Sequence, residues 1–177
     1  MKTKQILTSI LLVVGFAANA QVGINTQNPQ GTFHVDGAKD NAATGAPTAL
    51  QSVNDFLVTS TGNVGVGTAT PGAKLEVNGA SINSSAFNAG SSNAIDFSKS
   101  NLAYTTSTST TITLNNIKNG GTYTLSVIQG ASRTVTFTST GFTVKFLNNK
   151  ATVANKETLY TFIVMGTTVY AYVASGF

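Results

Sequence analysis

The sequence predicts an all-β protein: a short, repeat-containing, fibre-like shaft followed by an antiparallel β-sandwich or jelly-roll-like head. Three observations predict it. Apolar residues recur with period two after residue 20, turn residues punctuate these runs at short spacing, and one phrase of the shaft is written twice.

Residues 1–20 stand apart. Lys2 and Lys4 precede an apolar run from Ile6 to Ala18, and Ala18-Asn19-Ala20 is a small-x-small cleavage signature. The pattern predicts a secretory signal peptide cut between Ala20 and Gln21, because the run is shorter than the roughly 20 apolar residues a spanning helix needs. Removing these 20 residues from 177 leaves 157, with eight Lys and Arg against six Asp and Glu. Cations this few, scattered singly, cannot displace a phosphate counterion atmosphere, so a nucleic-acid partner is not expected. Cysteine is absent although export permits disulfides, so stability must come from burial, backbone pairing or association with other chains.

Residues 21–91 are assigned to the shaft. Residues 22–37 read VGINTQNPQGTFHVDG and residues 64–79 read VGVGTATPGAKLEVNG. Val22/Val64, Gly23/Gly65, Thr26/Thr68, Pro29/Pro71, Val35/Val77 and Gly37/Gly79 are identical, whereas Asn25 stands where Gly67 does. Each copy places Gly at a tight turn, then a Pro that cannot donate to a ladder, then a short alternating piece. So few apolar side chains cannot close a core, and two copies fall below the three or so that a single-chain solenoid requires. Other copies of the chain are expected to supply the rest. Residues 38–49 and 80–91 read as loose, small-residue connectors.

Residues 92–177 are assigned to the head. Thr122 to Ile128 alternates, with Tyr123, Leu125 and Val127 on one face and Thr122, Thr124 and Ser126 on the other. Arg133 to Thr138 and Phe142 to Phe146 repeat the pattern. Leu159 to Met165 and Val169 to Ala174 flank Gly166-Thr167-Thr168, a hairpin signature, and the apolar residues on both faces of Tyr160 to Met165 place that strand centrally. Ala94 to Phe97 and Thr111 to Leu114 bring the total to seven or so strands.

The form V-G-I/V-x-T-x-x-P-x-x-x-L/F-x-V-x-G, preceded in the second copy by Ser60-Thr61-Gly62-Asn63, resembles repeats of phage tail-fibre-like proteins and of exported bacterial surface proteins. Leu114 to Gln129, Arg133 to Phe137, and Tyr160 to Phe162 before Gly166 to Tyr170 are similar to a fibre-type distal domain. The resemblance implies a homotrimer whose three chains share a narrow apolar axis. The signal peptide is foreign to a phage particle, so the expected protein is cellular and exported, secreted or held at the cell surface of a Gram-negative envelope.

Candidates for chemistry are few. His34 is the sole histidine and matches Glu76 of the other copy, between Phe33 and Val35, where an exposed strand position is expected rather than a catalytic base. One histidine and no cysteine argue against zinc. Asp36 and Asp40 are candidate calcium ligands, but Asp36 also ends a strand as Asn78 does, and calcium needs six or more oxygens. The six carboxylates share no paired-acid motif, and Pro71 stands where a phosphate-binding helix would begin. Tyr104, Tyr123, Tyr160, Tyr170 and Tyr172 are the aromatic candidates for sugar stacking; of these, Tyr123 and Tyr160 read as core, while Tyr170 and Tyr172 read as exposed, either in a subunit contact or under a stacked sugar. The expected function is therefore non-enzymatic, without cofactor or membrane-spanning segment: a structural or adhesive protein that presents the head on a trimeric stalk to a surface glycan or protein receptor. The alternative is a monomeric lectin-like carbohydrate-binding module.

Overall fold

The computed structural model describes residues 21–177, which contain fourteen strands and one short helix. The predicted signal peptide and its Ala20–Gln21 junction lie outside the described residues. The chain divides between Ser81 and Ile82 into two compact units.

The first unit contains β1 (Val22–Ile24), β2 (Phe33–Asp36), α1 (Ala49–Ser52), β3 (Asp55–Val58), β4 (Val64–Val66) and β5 (Leu75–Val77). They form one sheet in chain order, β1-β2-β3-β4-β5. Each repeat supplies a parallel pair, β1 with β2 and β4 with β5, and β3 runs antiparallel between them. Parallel neighbours usually need a crossover of a dozen or more residues. Here residues 25–32 and 67–74 suffice, because the loop folds directly onto the strand it leaves. A Cβ at Gly23 would fall 2.6 Å from the Thr26 carbonyl oxygen, and one at Gly65 would fall onto the matching Thr68 oxygen, so both copies need glycine there for the same reason.

The rest of the cassette repeats as well. Val22 N–H donates to the Thr32 carbonyl (3.0 Å) and Val64 N–H to the Lys74 carbonyl (2.9 Å). Asn25 and Gly67 both sit at positive φ, 62° and 74°, a region asparagine tolerates better than most residues. Asn25 Nδ2 donates to the Asp36 carbonyl (3.2 Å), and Asn78 Nδ2 donates to the Gly67 carbonyl (3.0 Å). The paired departures, Asn25 for Gly67 and Asp36 for Asn78, thus preserve the tie and only exchange donor for acceptor.

Residues 38–49, expected to be loose, are pinned. Ala38 N–H reaches Asn54 Oδ1 (2.9 Å), the Asp40 and Asn41 amides reach the Asp36 carboxylate, and Thr48 caps α1 in a reciprocal box with Gln51.

The second unit holds β6 (Phe87–Asn88), β7 (Ala94–Asp96), β8 (Leu102–Thr105), β9 (Thr111–Asn115), β10 (Thr122–Ile128), β11 (Thr136–Thr138), β12 (Thr143–Phe146), β13 (Glu157–Met165) and β14 (Thr168–Ser175). One sheet has the order β12-β14-β13-β10-β8-β6 and the other β11-β9-β7. Successive strands from β6 to β11 alternate between the sheets, and each lies parallel to the next strand of its own sheet. The chain therefore winds as a coil. Only the β13–β14 hairpin and the β10–β13 pair are antiparallel, whereas β12 joins β14 in parallel.

This corrects the expectation of an antiparallel head: the pairing is mixed. A short turn can lead back along a neighbouring strand, but between β6 and β11 the turns carry the chain across to the facing sheet. The expected start at residue 92 also misses β6, which pairs with β8.

One core serves both sheets. Ile95, Ile112, Leu114 and Phe137 from the smaller sheet meet Leu125, Val127, Tyr160, Phe162 and Val169 from the larger. The Phe137 ring contacts Tyr160 and Phe162 edge-on at 4.8 and 4.9 Å. The hairpin forms as predicted around Gly166-Thr167, with Met165 opposite Thr168 and Gly166 at φ 61°. β13 is central, but only its Thr158, Tyr160, Phe162 and Val164 face is buried, and the other is half-exposed. Outside, Thr111 and Thr113 meet Thr136 and Thr138 hydroxyl to hydroxyl at 3.3 Å.

Candidate functional site

In the first unit, residues of opposite chemistry occupy the two sheet faces. His34, Asp36, Asp55 and Leu57 share one face by register, and all four are buried. This corrects the exposed position expected for His34. Its strand does point it to the polar side of the sheet, but the chain's own loops cover that side.

The geometry fixes the histidine. Gln30 N–H donates to His34 Nδ1 (3.2 Å), so the lone pair is there and Nε2 carries the proton, which it donates to Asp55 Oδ2 at 3.0 Å. The contact is thus a hydrogen bond from a neutral imidazole. Asn41 Nδ2 gives Asp55 Oδ2 a second donor at 3.0 Å. In the other repeat, Gly72 N–H donates to Glu76 Oε2 at 2.7 Å, the same tie from the same position. His34 and Glu76 are therefore loop fasteners, and the buried imidazole offers no face to a substrate.

Asp36 lies directly opposite Asp55. Burial acts to raise its carboxyl, but the amides of Asn41, Asp40, Lys39 and Ala38 outweigh burial and hold it below the usual carboxylate range. Its oxygens are thus committed to a turn, with Asp40 N at 3.2 Å and Asn41 N at 2.9 Å. Asp40 is exposed and accepts from Asn54. Among the described residues, no three His, Cys, Asp or Glu gather as metal ligands would. Asp36 and Asp40 are joined through the Asp40 amide.

In the second unit, Tyr123 and Tyr160 are buried, and Tyr170 and Tyr172 are 38% and 41% exposed. Register puts the last two beside Ile163 and Thr161 on the outer face of the six-stranded sheet. Tyr104 is 42% exposed and shares that face through its partner Ser126. Alternation in Leu102-Ala103-Tyr104-Thr105 turns its ring outward, with Ala103 and Thr105 buried. Next to Tyr104, a shallow depression of about 320 Å³ is lined by Leu102, Ile128, Leu159 and Glu157, whose Oε1 accepts from the Ser126 hydroxyl (2.5 Å).

At one end of the smaller sheet a second depression, about 470 Å³, borders Asp96, Asn116 and Lys118. Asn116 Nδ2 (2.6 Å) and the Ser98 hydroxyl (2.7 Å) donate to Asp96 Oδ1 and lower its pKa. This is an Asx-type turn closed on itself. No helix among the described residues is long and apolar enough to cross a membrane. Compared with protein-family models, curated proteins and solved structures, the chain matches none.

Proposed function

We propose that this is an exported, non-enzymatic structural or adhesive protein, in which a β-sandwich-like head is presented on a trimeric stalk for attachment to a surface. One contrast carries the reading. The second unit encloses a core of sixteen buried apolar residues, whereas among the described residues of the first unit Leu57 is the one large aliphatic side chain buried completely. A self-sufficient head is thus joined to a segment that lacks a core. Burial is the main favourable term in folding, so the first unit gains most from association. Three weak head contacts on one stalk would then bind together through effective concentration. Sedimentation equilibrium of residues 21–177 at micromolar concentration should give the mass of three chains, and a stable single-chain mass overturns the reading.

A lectin-like module is the second reading, favoured by Tyr104, Tyr170 and Tyr172 on one outer sheet face. Exposed aromatic rings suit sugar stacking. A glycan array separates the two, since sugar binding by a single-chain particle supports only the second.

A further inference from the structure

The face of the five-stranded sheet opposite His34 is entirely apolar. Register aligns Val22 with Phe33 and Val58, and Ile24 with Val35 and Phe56. It continues through Val64 and Val66 to Leu75 and Val77, so every strand gives two apolar side chains to this face. None is buried. Val22 is 51% exposed, Ile24 44%, Val66 38% and Leu75 63%. The unit's charges, Asp36, Lys39, Asp40, Asp55, Lys74 and Glu76, belong to the other face, the loops or the strand flanks. The sheet covers its polar side with its own loops and leaves its apolar side bare.

We infer that this face is the seam on which copies of the chain join, three to an assembly, with Phe56 of each turned toward the shared axis. The inference rests on the stalk reading and names the surface that makes the stalk. Its chemistry selects the occupant: a face of Val, Ile, Leu and Phe carries no side-chain donor or acceptor to hold a sugar or a charged partner. Its complement is another apolar sheet, and the chain supplies that sheet in each copy.

Area is enough for self-association, and the shape of the face admits three copies. The exposed fractions correspond to roughly 500 Å² per face, at the upper end of patches tolerated on monomers. Two faces would bury about 1,000 Å² between them, which reaches the lower bound for a specific interface, and closing three faces on one axis buries the same roughly 500 Å² of each copy. Five strands at about 4.8 Å spacing make a face roughly 24 Å wide, and three such faces closed as a prism lie about 7 Å from the axis. A phenylalanine spans that distance. Phe56 is on β3, the middle strand of the five, with the Phe33 ring against it at 6.0 Å.

The test places a charge at equivalent positions of the two repeats, Ile24→Asp and Val66→Asp, separately. Each side chain is more than a third exposed in the lone chain, so the aspartate stays hydrated unless copies meet there. The expected result is a dissociation constant raised at least about a hundredfold, seen as single-chain mass at 10 μM, with the His34 imidazole resonances unchanged. Leu75→Asp, on the most exposed strand position, is the second variant should either of the first two lose those resonances. Ile82→Asp, 87% exposed and outside the sheet, should leave the mass unaltered. Three-chain mass in the folded Asp variants overturns the seam and leaves the stalk reading standing. Single-chain mass in the unsubstituted protein overturns both.

Discussion

Tyr160→Phe tests whether the core of the second unit is understood. Tyr160 is fully buried, its ring lies against Phe137 at 4.8 Å, and its hydroxyl has no hydrogen-bond partner. Burying a hydroxyl without a partner costs about 1–3 kcal/mol, and the substitution removes that oxygen while keeping the ring. A gain of about 1 kcal/mol at pH 7 is expected, a rise in Tm of about 4–8 °C for a unit of this size. A second effect has a definite sign. Burial pushes the phenol up to about 12, above its value in an unfolded chain, about 10. The folded state keeps the proton where the unfolded state has lost it, so stability is complete below about pH 10 and falls as pH rises through 12. That loss is at most about 2 kcal/mol, and the phenylalanine variant should not show it. All five tyrosines lie in the second unit and the chain has no tryptophan, so tyrosine fluorescence in a urea titration reads this unit alone at pH 7. Circular dichroism melts cover pH 9 to 12. A variant less stable than the parent at pH 7, or a difference between the two that stays constant from pH 9 to 12, would refute the reasoning.

Other outcomes follow from the first unit and the outer face of the second. Gly65→Ala drives a Cβ into a backbone carbonyl and should destabilise the first unit by about 1–3 kcal/mol, whereas at Gly72 the nearest atom is a carboxylate oxygen 3.7 Å away and alanine should be near neutral. Hydrogen exchange of β4 and β5 amides measures both. Asp55→Ala leaves the Nε2 proton of His34 buried without its acceptor and should cost about 1–3 kcal/mol. In the parent, nitrogen shifts of this single histidine should report the Nε2–H tautomer, and an Nδ1–H tautomer would contradict the Gln30 contact. The Asp36 carboxyl is held below its ordinary value, so its stabilising contribution is present above about pH 4 and is lost as pH falls through its folded value. Asp36→Asn should flatten that acid limb, read from exchange in residues 38–41. Tyr170→Ala and Tyr172→Ala should leave the sedimentation mass unchanged if the outer face is free, and a fall to one chain would move the seam to the head.

Much of the second unit was legible in the sequence because side-chain direction in a strand is a local property. Alternation in Thr122 to Ile128 is enough to bury Tyr123, Leu125 and Val127, and the same rule separates buried Tyr160 from exposed Tyr170 and Tyr172. The repeat was legible for a similar reason: Gly23 and Gly65 mark a close approach between residues three apart. β6 was missed because two residues are too short for any period to declare itself.

The sequence by itself determined where strands lie, which side chains share a face, and that residues 22–37 and 64–79 fold alike. Only the tertiary structure decided what covers each face and in which direction neighbours run. His34 belongs to a polar face by pattern, yet the chain's own loops bury it, and Asp55, 21 residues away, accepts its hydrogen bond. From β6 to β11, a short turn fits a hairpin as well as a step to the facing sheet, and the choice rests on which arrangement closes the core around Ile112, Leu125 and Phe137. Period is written in adjacent residues, whereas pairing and cover depend on contacts between residues far apart, which no local pattern encodes.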